Sequence, residues 1–124
     1  MDGAKVFVLA QNPGVDEESQ GRPLVGKTGQ MFEARFLPLA KLERGVNVSL
    51  GNVLKCRWQV GSKRINNLPP AAILKPAVEH CTREHLIIPR GTELVIGMGK
   101  LANDYLGCPG SVSTWRGFTY EFMG

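Results

Sequence analysis

Lys5-Val-Phe-Val-Leu-Ala10-Gln-Asn-Pro-Gly14 is the stretch on which the fold turns. Its first six residues are apolar, β-branched or aromatic almost throughout, and they pass without a break into the turn chemistry of Gln-Asn-Pro-Gly, so they read as a buried strand. Beyond it, Val15 to Lys27 is polar and glycine-rich and reads as a loop. Thr28 then stands as an N-cap for a helix whose apolar positions Phe32, Phe36, Leu39 and Ala40 are expected to share one face, with Pro38 kinking or ending it. Val46 to Leu54 forms a second strand carrying Gly51 at a close backbone approach, and a basic loop runs from Lys55 to Asn67. Pro69 and Pro70 suit a helix start, and Ile73, Ala77 and Val78 continue that helix toward Leu86 although Pro76 disturbs it. Leu94 to Gly97 is a third buried strand, leading through Met98 and Gly99 into a helix over Lys100 to Leu106 that Gly107 ends. The tail, Thr114 to Gly124, alternates like a terminal strand or hairpin arm.

Strand and helix thus alternate three times. The expected fold is α/β, three-layer α/β/α, with a short, mainly parallel central sheet, and such sheets bind ligands at the carboxyl ends of their strands. The chain has 124 residues, 43% hydrophobic and 21% charged, and no repeat or linker, which predicts one domain over 1–124. A bilayer-spanning helix needs about 20 apolar residues, and no run approaches that. The net charge of +4 and pI near 9.2 permit a polyanionic partner without demanding one. Three cysteines, Cys56, Cys81 and Cys108, make an odd number without a CxxC pair, and Met-Asp-Gly-Ala-Lys-Val at the start has no apolar signal region, so a cytoplasmic location is expected.

Gly21-Arg-Pro-Leu-Val-Gly26-Lys27-Thr28 satisfies GxxxxGK[ST], the pattern in which loop amides cradle phosphates. A genuine phosphate loop leaves its strand directly. Here about ten residues separate it from Ala10, and neither later strand ends in the aspartate that would hold magnesium. The stretch reads as a glycine-rich surface loop feeding a helix, and an NTPase is the weakest of the functional alternatives.

Ala10 to Gln30 as a whole resembles the first motif of the uracil-DNA glycosylase superfamily, above all its iron-sulfur family 4, which writes it GE-x-PG, acidic residues, then G-x-PFVG-x-AG. Asn52-Val-Leu-Lys-Cys-Arg57 resembles the family's TNVVKCRP, and Leu94 to Gly107 resembles its strand-LG-x-x-A-x-x-LLG segment. Trp115 to Gly124 resembles the stretch before its last motif. The resemblance runs in order along nearly the whole chain. It implies a hydrolase that removes uracil, or a related deaminated base, from single- or double-stranded DNA in base-excision repair, flipping the base out of the stack to reach it.

Under that resemblance each site residue has a task. Asn52, at the end of the second strand, can offer a donor and an acceptor to the O4 and N3 edge of uracil, as the family's asparagine does; without the resemblance it reads equally as a strand-end cap. Gln11 and Asn12 stand where the superfamily positions water, just before a turn in which Gly14 lets the backbone approach the base. Family 4 has glutamate at the first of these positions, and Asn-Pro-Gly is more similar to the GINPG of the mismatch-specific branch. An amide orients water but cannot take its proton, so slower chemistry is expected. Asp16, Glu17 and Glu18 could contribute a carboxylate, though such a run is more often solvated. Leu24 replaces a phenylalanine that stacks on uracil, forfeiting a contact worth ~1–3 kcal/mol. Lys55, Arg57, Lys63 and Arg64 are candidates for DNA phosphates, with an ordinary solvated loop as the alternative. Gly61 to Asn66 is similar to the insertion of the uracil-crosslinking branch, but asparagine at 66 cannot perform its covalent chemistry.

Two family features have no full counterpart. Cys56 and Cys81 match the later two of four ligands of a [4Fe-4S] cluster, the earlier pair is missing, and Cys108 is not at a ligand position, so a partial or vestigial site and no bound cluster are expected. The chain reaches Gly124 before the family's His-Pro-Ser motif would begin, and His80 and His85 lie on a helix. Without that histidine to meet the departing uracil anion, a loss of ~3–4 kcal/mol of transition-state stabilisation is expected, by analogy with a lost oxyanion donor. A non-catalytic relative that binds DNA or a protein is therefore the second reading. The sheet lacking its last strand would have an edge to cover, by Thr119 to Phe122 or by a partner or second copy.

Overall fold

The computed structural model describes residues 5–60, 63–65 and 68–107. In chain order they form β1 (Val6–Ala10), α1 (Val15–Gln20), α2 (Lys27–Met31), a π-helical turn (Phe32–Phe36), α3 (Leu37–Leu39), β2 (Val48–Asn52), β3 (Trp58–Val60), β4 (Lys63–Ile65), α4 (Ala71–Glu84), β5 (Leu94–Gly97) and α5 (Lys100–Tyr105). β1 is the central strand of a parallel sheet ordered β2-β1-β5. Val6 faces Val48 and Leu94 across the two ladders, and at the carboxyl end Ala10 faces Asn52.

The continuous apolar run of β1 is explained by helices on both sides. Phe7 and Leu9 pack with Val53, Leu54, Leu101, Ala102 and Leu106, against which α4 lays Leu74, Ala77 and Val78. Val6, Val8 and Ala10 point the other way, onto Leu24, Leu37, Val48 and the half-buried Phe32. Val8 and Leu9 are wholly buried, each contributing about 1.5–3 kcal/mol of apolar burial. The fold is the expected three-layer α/β arrangement. Gly51 is required where β2 crosses the Phe7 ring: a Cβ there would stand 2.8 Å from Phe7 Cζ, and Phe7 is fully enclosed.

Four local expectations are corrected. β5 is not a buried strand: it pairs on one side only among the described strands, Leu94 is 45% exposed and Val95 to Gly97 are half-buried. Val15 to Gln20 is a helix, not loop; it buries no residue, so no apolar periodicity announces it, and its stability comes from Asp16, Glu17 and Glu18 at the positive N-terminal turn. The next helix begins at Lys27 with Gly26, not Thr28, in the capping position, and its apolar face is displaced. Leu37 N–H donates to Phe32 O, one residue further back than in an α-helix, and Pro38 brings no N–H to restore the register. That extra residue turns Leu37 into the core and leaves Phe36 and Leu39 exposed, at 55% and 83%. Lastly, the basic stretch after Lys55 contains an antiparallel hairpin, Trp58 facing Ile65 and Val60 facing Lys63. Cys108 and the tail expected to form a strand lie outside the described residues.

Candidate active site at the carboxyl ends of the strands

The ends of β1, β2 and β5 are laced together by backbone bonds. Val53 N–H donates to Ala10 O at 2.9 Å, Leu54 N–H to Gln11 O at 2.8 Å, and Met98 N–H to Leu9 O at 2.9 Å. The chain leaves β1 toward the α2–α3 layer, while β5 continues into α5 on the opposite layer, which opens a crevice between neighbouring strands of the kind that binds ligands in open α/β sheets. Gln11, Asn12, Asn52 and the Met98–Gly99 turn gather there.

Asn52 is the one polar residue among the described residues that is fully buried, 8% exposed, and its carboxamide bonds to no other described residue. The side-chain atom buried without a partner among the described residues is Ser49 Oγ, so the Asn52 amide keeps contact with solvent. Lys55 folds back on the same residue, its Nζ donating to Asn52 O at 2.9 Å. Burial holds the Lys55 ammonium below the ordinary lysine value, while nearby Cys81 acts in the opposite direction.

Gln11 is committed elsewhere. Its Oε1 accepts the Leu101 N–H at 3.1 Å, closing the amino end of α5, and its side chain lies against Gly99, whose φ of +94° only glycine adopts without strain. Asn12 beside it is half-buried and has a contact of its own. Buried Pro13 and then Gly14, the residue capping α1, complete the turn.

Leu24 is buried among Val6, Val8, Ala10, Leu37 and Val48 and has a backbone φ of +50°. A non-glycine residue held there costs roughly 1–3 kcal/mol and persists only if its surroundings fix it. Arg44, which the sequence reading passed over, does so. Its Nη1 donates to Leu24 O at 2.9 Å and to Glu33 Oε1 at 2.7 Å, and its Nη2 donates to Pro23 O. No sequence signal marks this role; in the structure a backbone bridge ties Arg44 to Val48 at the start of β2.

The acidic run is structural. Glu17 Oε1 accepts the Gly26 N–H at 3.3 Å, and Glu18 pairs with Arg57 at 3.3 Å. A carboxylate thus occupies the amide that a phosphate would claim in the GxxxxGK[ST] stretch, and α1 intervenes between that stretch and its strand. Arg57 is held by Glu18, Lys55 by Asn52, and Lys63 and Arg64 lie on β4 at the hairpin.

Cys56 is exposed and Cys81 half-buried. Among the described residues no group of three or more His, Cys, Asp or Glu could hold a metal ion, so these residues do not fit a cluster that needs four ligands. His80 and His85 are exposed and pack edge to face, 5.7 Å between ring centres, on the outer side of α4 and at its end. No described helix is long and apolar enough to cross a membrane.

A model of the uracil DNA glycosylase superfamily matches residues 1–120. Among curated proteins the chain is similar to a type-4 uracil-DNA glycosylase of Sulfurisphaera tokodaii, 35% identical over 54 residues. That match takes in 44% of this chain and 24% of the relative, so it spans about a quarter of that protein's length. With that model matching nearly its whole length, the chain belongs to the uracil DNA glycosylase superfamily.

Proposed function

We propose that this chain, as a single domain, binds uracil-containing DNA and hydrolyses the N-glycosidic bond of uracil, or of a related deaminated base, as the first step of base-excision repair in the cytoplasm. The observation that carries this reading is Asn52, a buried residue whose carboxamide makes no hydrogen bond with the described residues, beside the Gln11–Asn12 turn. A flipped uracil supplies what that amide lacks: its O4 accepts from the amide nitrogen and its N3–H donates to the amide oxygen. Leu24 forms the apolar wall, Gly14 allows backbone approach, and Asn12 orients the attacking water. With Gln11 bonded to Leu101, water orientation falls mainly on Asn12. Lys63 and Arg64 on the hairpin are proposed to meet phosphates, with Lys55 and Arg57 shaping the same flank.

The test is excision from uracil-containing single- and double-stranded oligonucleotides. Abasic sites that depend on Asn52 are expected; their complete absence at stoichiometric protein refutes the reading. The engagement of Gln11 by Leu101 favours a second reading, a non-catalytic relative that binds DNA or a protein partner, with self-association over the β5 edge as one form of it. Excision abolished by Asn12→Ala removes that alternative.

A further inference from the structure

We propose that Arg44, backed by Glu33, is the positioning residue of the site, locking the Pro23–Leu24 turn so that Leu24 stands beside Ala10 as the wall against which a flipped base rests; this rests on the reading of Leu24 given above. The guanidinium forks onto two successive carbonyl oxygens, Pro23 O and Leu24 O, and shares a nitrogen with the Glu33 carboxylate, which balances its charge. A planar fork can grip two oxygens and a carboxylate together, whereas a lysine ammonium acts as a point charge. The Arg44 side chain is only 12% exposed, so water competes little for these bonds.

The other side of the turn is equally fixed. Gly29 in α2 lies so close that a Cβ on it would stand 1.9 Å from Leu24 O. The Leu24 carbonyl is therefore lodged between helix backbone and guanidinium, and its side chain is directed onto the same face as Ala10, one residue before Gln11. Three segments far apart in sequence, the 23–24 turn, the π-helical turn through Glu33, and the approach to β2 through Arg44, meet at this one cation. Arg44 is a positioning residue: it acts on the base through Leu24.

Arg44→Ala, Arg44→Lys and the milder Glu33→Gln are compared with wild type in the full chain, reading amide hydrogen exchange over residues 22–26 and the kinetics of uracil excision from a single-stranded oligonucleotide. Arg44→Ala is expected to speed exchange at 22–26 at least 10-fold while α4 stays protected, and to raise KM about 5- to 10-fold with kcat changed less than 3-fold. Millimolar guanidinium, but not equal sodium chloride, is expected to restore both in Arg44→Ala, which a general loss of stability would not allow. Arg44→Lys should resemble Arg44→Ala, and Glu33→Gln should show a smaller effect of the same kind. Unchanged exchange at 22–26, or faster exchange with unchanged KM, overturns the proposal while excision by wild type stands. If wild type itself excises nothing, the glycosylase reading fails and the functional part of this one with it; if Arg44→Ala does not fold, Glu33→Gln decides by the same two readouts.

Discussion

Gln11 Oε1 accepts the backbone N–H of Leu101 at 3.1 Å, joining the turn after the central strand to the first turn of α5 across the crevice. The bond meets a buried donor at a helix start, where an unmatched N–H is costly. Gln11→Ala is expected to lose about 1–2 kcal/mol, lowering the melting temperature by several degrees. Gln11→Glu keeps the acceptor and places a negative charge at the positive end of the helix, so its stability should lie within ~0.5 kcal/mol of wild type at neutral pH. Denaturant melts of the three proteins check this; a Gln11→Ala protein as stable as wild type removes the strut.

Gly29→Ala pits two effects against each other. Alanine improves an α-helix interior by roughly 1 kcal/mol, but here its methyl would meet the Leu24 carbonyl oxygen at 1.9 Å and its carbon at 2.2 Å. Those atoms are backbone held by Arg44 and cannot swing aside as a side-chain tip can. Overpacking of this kind typically costs 1–3 kcal/mol or more, so the clash wins. The expected outcome is a clear fall in denaturation midpoint, against a negligible change for Thr28→Ala, which is exposed in the same helix.

How far these features could be read from the chain depended on whether burial leaves a periodic trace. β1 was legible because a central parallel strand is apolar at every position and ends in turn residues, and β2 and β5 because each carries a short β-branched, apolar run before its turn, though β5 is not the buried strand that run suggests. α1 was not, since a helix with nothing buried has no period to detect. The exchange of Leu37 for Phe36 in the core was hidden because the π turn breaks the 3.6-residue spacing on which the expectation rests. Arg44 was invisible for another reason: its three acceptors are carbonyls and a carboxylate 11 to 21 residues away, and nothing in its neighbours' identity marks them.

Lys55 makes stability depend on pH in a defined direction. Its folded pKa lies below the unfolded value near 10.5 because burial disfavours the charged form. Between those two values the unfolded chain binds more protons than the folded one, so stability rises with pH through that window and the penalty is present in full below it. Lys55→Gln has no such titration. The difference in denaturation midpoint between wild type and Lys55→Gln should move in favour of wild type as pH is raised from 7 toward 10.5; a flat difference contradicts the burial of this ammonium.

Asn52 separates recognition from folding. Its carboxamide makes no hydrogen bond with the described residues, so removing it breaks no bond of the folded chain. Asn52→Ala is therefore expected to stay within ~1 kcal/mol of wild-type stability, since no partner is orphaned. Excision should behave otherwise. A site that reads a base edge through a paired donor and acceptor discriminates strongly, and losing that pair should lower kcat/KM on uracil-containing single strands by about 10²-fold or more. Asn52→Asp offers a sharper contrast. It keeps the shape but turns the donor into an acceptor facing uracil O4, so it should lose excision, while the Lys55 ammonium on the Asn52 backbone oxygen is close enough to offset part of the new charge. Paired excision assays and denaturant melts of the two variants check this: an Asn52→Ala protein that is strongly destabilised marks a structural amide, and one that excises uracil at the wild-type rate moves base recognition away from the head of β2.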